Sequence, residues 1–359
     1  MNILRVVMIT GLACGAAQPQ TPKWVEGKAE LDLLRRPKAI PAKGAPETVE
    51  QLRQGFADPP ADYRSMPLWV WNDEMGWPRM QEQLRQFKQQ GMGGVFVHPR
   101  PGLMTEYLSD EWFRLWKLSL DEGKRLGIQV NIYDESSYPG GFAGGHVPAQ
   151  APDTVLQYLT LQEAVAKEHA TRGGVTVLAI FAVEKDAGGK LTSARRVESR
   201  DDVRPGETAA IFGLRRASAG LWTAGFPYVD LTNPATTLEF LKSTYEPYRA
   251  HFGAEFGKNL KYAFNDEPQL LAGASDSPLP LSRYSLAEFR RRCGYDLTEK
   301  LPSLYWDVGD WRQVRFDYWQ TIHDLWKENF FRRMFQYCDH NNLQFTGHWM
   351  EHEWPNPFI

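Results

Sequence analysis

The chain carries the run Phe264-Asn265-Asp266-Glu267-Pro268, in which a short apolar segment ends in a cluster of polar side chains. The apolar residues 262–264 predict a buried strand, and Pro268 fixes the turn that follows it. The carboxyl groups of Asp266 and Glu267 would then stand at the carboxyl end of that strand. Functional side chains of parallel α/β proteins gather at this end of the sheet.

Four other segments share this pattern of a short apolar run followed by polar residues: 68–71, 95–97, 128–133 and 343–346. Helices are predicted between the first three. One runs from Pro78 to Gly91 and the next from Ser109 to Gly127, with apolar residues at helical spacing between capping residues. This alternation of strands and helices predicts a parallel sheet or barrel.

We therefore predict an α/β fold, namely a (β/α)8 TIM-type barrel that is incomplete, with about five strand-helix units. A closed barrel needs eight units and commonly about 250 residues before insertions. The chain is accordingly expected to be the front part of a longer protein or a truncated product. The alternative is an open doubly wound sheet, which is less favoured because no glycine-rich phosphate loop follows the first strand.

Composition and periodicity divide the chain into five segments. Residues 1–17 predict a signal peptide, and 18–60 predict a linker with one short helix. The first part of the barrel is assigned to 61–150 and its truncated continuation to 231–359. Between them, 151–230 predicts a small inserted β domain, in which Gly188-Gly189 turns a hairpin.

The first residues predict export. Arg5 is followed by the apolar stretch 6–13 and by small residues suited to cleavage at 15–17. We expect a periplasmic or extracellular protein with no integral membrane segment after signal removal. Lipidation through Cys14 is less favoured, because Gly11 stands where a larger aliphatic residue is usual.

The charge balance and the cysteines exclude other classes. The formal net charge is -3, so no broad basic surface for nucleic acid is predicted. Beyond the signal, Cys293 and Cys338 remain, either as buried thiols or as one bridge, and their spacing indicates no zinc site. The sequence does not predict an oligomeric state.

Polar residues follow every predicted strand, and in a barrel they would emerge together at one mouth. They are Asn72, Asp73, Glu74, His98, Arg100, Asp134, Glu135, Asn265, Asp266, Glu267, His348, Glu351, His352 and Glu353. Acidic loop residues are common, so the joint placement at five strand ends is the signal. It predicts a site that combines carboxyl, imidazole and guanidinium groups.

Glycoside hydrolysis needs two carboxyl groups, one to protonate the leaving oxygen and one to activate water or attack the sugar carbon. We predict Glu267 as the acid, Glu351 as its partner with Glu353 as the next choice, and Glu135 as a third candidate. The structural alternatives are a capping or loop acid for Glu267 and solvated loop charges for Glu351 and Glu353. For Glu135 they are an inter-strand salt bridge or a hydrogen bond to loop amides.

The other polar and aromatic residues at the strand ends are predicted to contact substrate: Trp71, Asn72, His98, Arg100, Asp134, Asp266, His348, Trp349, His352 and Glu353. A structural hydrogen bond is the alternative for each histidine. The acidic rim suits a hard cation such as calcium, and no organic cofactor is predicted. The glycine-rich stretch 138–145 lacks the ending of a phosphate loop, and its glycines would let backbone approach a ligand.

Several of these segments together resemble the catalytic region of the α-L-rhamnosidases of glycoside hydrolase family 106 and related bacterial glycosidases. The resemblance rests on 69–72, 93–100, 133–145, 265–268 and 347–355. It implies a (β/α)8 catalytic domain, inverting hydrolysis by two glutamates and an active-site calcium. Glu267 and Glu351 match the acid and base, with Glu135 as the uncertain position. The chain departs from the family in length, because the family's proteins continue with further strands and β-sandwich domains.

The leading functional hypothesis is an exported glycoside hydrolase acting on oligo- or polysaccharide. The first alternative is a non-catalytic or degenerate carbohydrate-binding fragment. The second is a barrel metallohydrolase that uses the acids and histidines to hold a divalent ion.

Overall fold

The structure is a computed structural model that describes residues 48–164, 174–270 and 279–348. The predicted signal peptide, residues 18–47 of the predicted linker and the stretch 349–359 lie outside the described residues. The predicted linker helix is α1 (Val49–Ala57), which Thr48 and Gln51 cap reciprocally.

The strands fall into two sheets. In chain order they are β1 (Leu68–Trp71), β2 (Gly94–Pro99), β3 (Gln129–Tyr133), β4 (Gln157–Ala164), β5 (Val175–Lys185), β6 (Leu191–Val197), β7 (Thr208–Arg216), β8 (Tyr262–Asp266), β9 (Leu279–Pro280) and β10 (Gln344–His348). The five segments predicted as strands at the site are β1, β2, β3, β8 and β10. All five predictions of strand position are confirmed.

These five strands form one sheet in the order β1-β2-β3-β8-β10, and every neighbouring pair is parallel. The spatial order therefore follows the chain order without reversal. A doubly wound sheet reverses its order at a switch point, so the described strands contradict that alternative. The fold is a mixed α/β fold with a parallel sheet wound in one direction.

The helices α2 (Trp77–Gln89) and α3 (Asp110–Leu126) connect the first three strands. Pro78 lies in the first turn of α2, as predicted. In α3, Ser109 accepts a hydrogen bond from the backbone N–H of Trp112, and Gly127 ends the helix in the left-handed conformation. Both ends of α3 are therefore set by the capping residues that the sequence offers.

The remaining helices are α4 (His146–Gln150), α5 (Pro234–Phe240), α6 (Glu246–Phe252), α7 (Arg283–Cys293), α8 (Pro302–Tyr305), α9 (Trp311–Trp326) and α10 (Arg332–His340). A π-helical turn joins α5 to α6, and another joins α9 to α10. The capping box of α7 begins at Ser282, before the first helical residue. Ser282 caps α7 with Ser285, whereas Glu288 pairs with arginines one turn along the helix.

The second sheet is antiparallel, with the order β6-β5-β7-β4-β9. The predicted hairpin is present as β5 and β6, closed by a hydrogen bond from Asp186 N to Lys190 O. The sheet also takes in β9, which pairs with β4 although it lies beyond the predicted insert 151–230. The predicted insert 151–230 and β9 together are called the β-rich unit below. This unit therefore includes a strand from a later part of the chain.

The two faces of the parallel sheet differ in character. Val95, Val97, Val130 and Ile132 point into the apolar core that the helices share. Alternate residues carry aromatic and polar groups on the opposite face, because side chains alternate along a strand. There Phe264 lies 5.4 Å from Phe96 and 5.7 Å from Tyr133, measured between ring centroids. This aromatic face leads to the strand ends that carry the candidate site.

Two further findings bear on the sequence predictions. Cys293 and Cys338 are both free thiols, and Cys338 is buried. Among the described residues, no helix combines the length and apolar character needed to cross a membrane.

Candidate active site

Glu267 lies directly after β8 and is buried, with 3% of its surface exposed. Its Oε2 accepts a hydrogen bond of 2.5 Å from the hydroxyl of Tyr138, and its backbone N–H donates to the carbonyl of His348. Its φ angle is +42°, a conformation that is uncommon for residues other than glycine. Such strained residues cluster at functional sites, where the surrounding contacts hold them.

Asp266, the last residue of β8, gathers three side chains around its carboxylate. Oδ2 accepts a hydrogen bond of 2.6 Å from the hydroxyl of Tyr133 and lies 3.8 Å from Nη2 of Arg100. Oδ1 lies 3.1 Å from Nδ1 of His348. The structure therefore brings together three predicted site residues, from β8, from β10 and from the segment after β2.

Glu135 is fully buried and holds the glycine-rich loop 138–145. Oε2 accepts hydrogen bonds from the backbone N–H groups of Gly141, Phe142 and Ala143 at 3.0, 2.9 and 2.8 Å. Oε1 accepts from the backbone N–H groups of Ser136 and Gly144. Five backbone donors thus converge on one carboxyl group.

Two effects oppose each other at Glu135. Burial raises the pKa of its carboxyl and the backbone N–H groups of Gly144, Ser136 and Ala143 lower it, which leaves a net pKa of about 8. A protonated carboxyl would turn a hydrogen toward groups that can only donate. The contacts with the loop therefore belong to the ionised form, and the geometry favours a positioning role for Glu135.

Asp134 is also fully buried, on the side of β3 that faces Asn265. It accepts hydrogen bonds from the hydroxyl of Tyr245 and from Nδ2 of Asn265 at 3.0 and 3.1 Å. Burial raises the pKa of Asp134 to about 8. A Cβ on Gly140 would lie 2.4 Å from Nδ2 of Asn265, so this loop can pack here only with glycine. Asp134 therefore has a supporting role, since it holds the side chain of Asn265 in place.

His98 projects from β2 onto the aromatic face, where its ring lies 3.8 Å from that of Tyr133. Neither ring nitrogen has a hydrogen-bond partner within the described part of the chain. Burial, followed by the charge of Arg100, lowers the pKa of His98 to about 3, so the imidazole is neutral near pH 7. A neutral ring can both donate and accept a hydrogen bond to a ligand hydroxyl.

The other predicted contacts are distributed differently. Asn72 is exposed after β1. Trp71 is fully buried, and its ring lies 5.0 Å from that of Trp112 in α3, so it belongs to the helix-facing core. Alternation along β1 turns Val70, rather than Trp71, toward the aromatic face. Trp349, Glu351, His352 and Glu353 lie outside the described residues.

Within residues 48–164, 174–270 and 279–348, one group of side chains could hold a metal ion. Ligand atoms of Asp266, Glu267 and His348 all lie within 4.8 Å of one another. Calcium takes six to eight oxygen ligands. This group offers two carboxyl groups and one imidazole, so by itself it does not fit calcium, and an imidazole suits a transition metal better.

Sequence reasoning missed two tyrosines that shape the site, Tyr133 and Tyr138. Tyr133 ends a predicted strand, and Tyr138 opens the glycine-rich loop, but neither was predicted to contact a carboxyl group. The available signal was their spacing. Each lies within a few residues of Asp134 and Glu135, at a strand end that was already assigned to the site.

Comparison with solved structures gives a likeness in fold. The chain superposes on the structure of a rhamnosidase from Novosphingobium sp. PP1Y with a TM-score of 0.56 and 14% sequence identity. The match covers 85% of this chain and 48% of that one, so the chain spans about half the length of the rhamnosidase. The chain therefore shares its fold with part of that rhamnosidase.

No protein-family model matches the chain, and no curated protein matches it. Sequence identity of 14% supports the fold alone. The roles of individual residues therefore depend on the geometry of this chain.

Proposed function

We propose that the chain is the catalytic part of an exported glycoside hydrolase that cleaves α-L-rhamnosides in oligo- or polysaccharides, as in glycoside hydrolase family 106. One observation carries this proposal. A buried carboxyl group, Glu267, stands at a strand end of a rhamnosidase-like fold, hydrogen-bonded to Tyr138 and adjacent to Asp266 and His348. The export signal in residues 1–17 is part of the proposal, as is the winding of the sheet toward a (β/α)8 barrel.

In the proposed reaction Glu267 protonates the glycosidic oxygen as the bond to the sugar carbon breaks. A second carboxylate removes a proton from the attacking water, and Glu351 is the proposed partner because it follows the last residue of β10 closely in the sequence. Inversion at the sugar carbon is proposed from the family resemblance. Arg100 and the neutral His98 are proposed to bind sugar hydroxyls, since Arg100 lies beside Asp266 and the ring of His98 lies against that of Tyr133.

The test compares Glu267→Gln with the unmodified full chain on an alkyl α-L-rhamnoside, whose alkoxide leaving group needs protonation. We expect kcat to fall by about three orders of magnitude, consistent with loss of general acid catalysis by a positioned group. Glu74→Gln is the matched control, because Glu74 is an exposed acid after another strand of the same sheet. Equal turnover by Glu267→Gln and the unmodified chain would exclude Glu267 as the acid.

A metal-dependent hydrolase is the second candidate, because Asp266, Glu267 and His348 lie within ligand distance of one another. In that case a divalent ion would activate water, and the three side chains would be ligands. Chelation should then abolish turnover, and zinc or manganese should restore it. Turnover that resists chelation but is lost in Glu267→Gln favours the acid-base mechanism. Saccharide binding without turnover in any preparation would indicate a binding fragment.

A further inference from the structure

A tight turn of the β-rich unit, residues 220–226, lies beside the candidate active site. Backbone hydrogen bonds close this turn from Gly225 N to Gly220 O at 2.9 Å and from Phe226 N to Thr223 O at 2.9 Å. The hydroxyl of Thr223 also accepts from Gly220 N at 3.2 Å. The turn is therefore held by its own backbone and by one threonine.

Two contacts fix the turn against the glycine-rich loop. The backbone N–H of Tyr138 donates to the carbonyl of Trp222 at 3.3 Å. Phe226 packs over Gly145, where a Cβ would lie 2.5 Å from Cδ2 of the ring. Gly145 has a φ of +103° and could not carry a larger side chain without displacing Phe226. The turn is thus seated on the loop that also positions Tyr138.

This fixed turn leaves a large aromatic side chain in solvent. Trp222 is 70% exposed, although its ring centroid lies only 5.8 Å from that of Tyr138 in an edge-on arrangement. Tyr138 in turn donates to Glu267. A single aromatic ring therefore separates the indole of Trp222 from the proposed proton donor. The hydrogen bonds that close the turn do not involve the indole. The exposed side chain is therefore not needed to hold the turn together.

We propose that Trp222 is a stacking platform for a sugar ring of the substrate, supplied to the active site by the β-rich unit. The proposal rests on the proposed function and extends it by assigning a substrate-binding site outside the parallel sheet. A flat indole offers an apolar surface to the C–H face of a pyranose, while the polar strand ends engage its hydroxyls. The backbone hydrogen bond between Tyr138 and Trp222 holds the platform at a fixed position relative to Glu267.

A protein partner is the competing explanation of an exposed tryptophan, since exposed apolar residues often mark interfaces. The neighbouring Leu221 is 95% exposed and would contribute equally to an apolar interface. A sugar platform, by contrast, depends on the flat ring and not on the aliphatic neighbour. Leu221→Ala therefore discriminates the two explanations.

The first experiment measures KM and kcat of the full chain on an aryl α-L-rhamnoside. Trp222→Ala should raise KM about tenfold, as expected for loss of one aromatic contact, with kcat changed less than about twofold. Trp222→Phe should keep KM near that of the unmodified chain, because it retains a flat ring. Leu221→Ala and the distant exposed Phe316→Ala are controls that should leave KM unchanged.

The second experiment separates this proposal from the proposed function by measuring binding without turnover. In the Glu267→Gln background, affinity electrophoresis is run in gels with a rhamnose-bearing plant polysaccharide and in gels with dextran. Selective retardation by the first polysaccharide, lost in Trp222→Ala and retained in Trp222→Phe, supports the platform even if the aryl glycoside is not hydrolysed. Equal retardation of the Trp222→Ala protein, or no retardation of its parent, overturns the platform whatever the turnover assay shows.

Discussion

The hydroxyl of Tyr138 donates to Oε2 of Glu267 over 2.5 Å, and the same hydroxyl accepts from Nε2 of Gln269 at 2.7 Å. The glycine-rich loop after β3 thereby fixes one oxygen of the carboxyl group that directly follows β8. Burial and the neighbouring Glu267 raise the pKa of Tyr138, so its hydroxyl remains a donor throughout the usual assay range. Tyr138 orients the proposed acid.

We expect Tyr138→Phe to lower kcat on an alkyl α-L-rhamnoside by roughly ten- to a hundredfold, which corresponds to one hydrogen bond to a buried group. KM should change little, because the hydroxyl contacts Glu267. Steady-state kinetics of the full chain check this. Tyr63→Phe is the control, since Tyr63 is exposed. A loss confined to KM would instead show that the hydroxyl binds substrate.

Glu135 gives a prediction about stability. Glu135→Gln replaces an oxygen with an amide that donates, and the loop presents only N–H groups to it. We expect a loss of about 2–4 kcal/mol in the free energy of unfolding, because the variant loses part of a buried carboxyl group that accepts hydrogen bonds from the loop. Chemical denaturation measures the loss, and proteolysis should show new cleavage within 136–146. Glu74→Gln is the exposed control. Unchanged stability with a large fall in kcat would restore Glu135 as a catalytic candidate.

The strand positions were predictable from the sequence because short apolar runs bounded by glycine and proline admit few other structures. The strand ends were also predictable, so Asp266, Glu267 and His348 could be grouped before any distance was known. Trp71 shows the limit of this reasoning. It adjoins the strand end, but alternation along β1 turns its ring to Trp112 on the helix side.

Contacts between distant segments were the part that sequence could not supply. Tyr138 and Glu267 form a hydrogen bond although they are 129 positions apart in the sequence. The packing of Phe226 over Gly145 depends on how the β-rich unit folds back. No periodicity encodes such distances. Glu135 illustrates the same point, because hydrogen bonds to loop amides were foreseen as an alternative but the convergence of five donors required the fold.

Gly347 tests the pairing of β10 with β8. Its φ is +149°, and a Cβ would lie 1.9 Å from the backbone oxygen of Asn265, its register partner. Gly347→Ala should therefore force the two strands apart and cost about 3 kcal/mol or more in the free energy of unfolding. Thermal and chemical denaturation check the loss.

The matched control for that change is Gly55→Ala in α1, where nothing lies within 4 Å of an added Cβ. Alanine at this exposed helical position should be neutral or should stabilise by up to about 1 kcal/mol. Equal stability of the Gly347→Ala and Gly55→Ala proteins would contradict the register that places His348 beside Asp266.

His98 gives a prediction about pH. Its pKa is about 3 in the folded chain, against about 6.5 in an unfolded one. Between these values the unfolded state binds a proton at His98 that the folded state does not bind. The contribution of His98 to stability is therefore complete above pH 6.5 and falls as pH decreases, by about 1.4 kcal/mol per pH unit at most.

His98→Gln removes this titration, so the difference in unfolding free energy between unmodified and variant chains should shrink as pH falls from 7.5 to 5. Asp134 acts in the opposite direction, since its pKa of about 8 makes the folded state bind an extra proton between about pH 4 and 8. Taking the difference between the two proteins cancels this contribution. Urea denaturation at several pH values measures it, with the exposed His251→Gln as control. A difference that does not change with pH would mean that the pKa of His98 is the same in the folded and unfolded chains, which would contradict the lowered pKa.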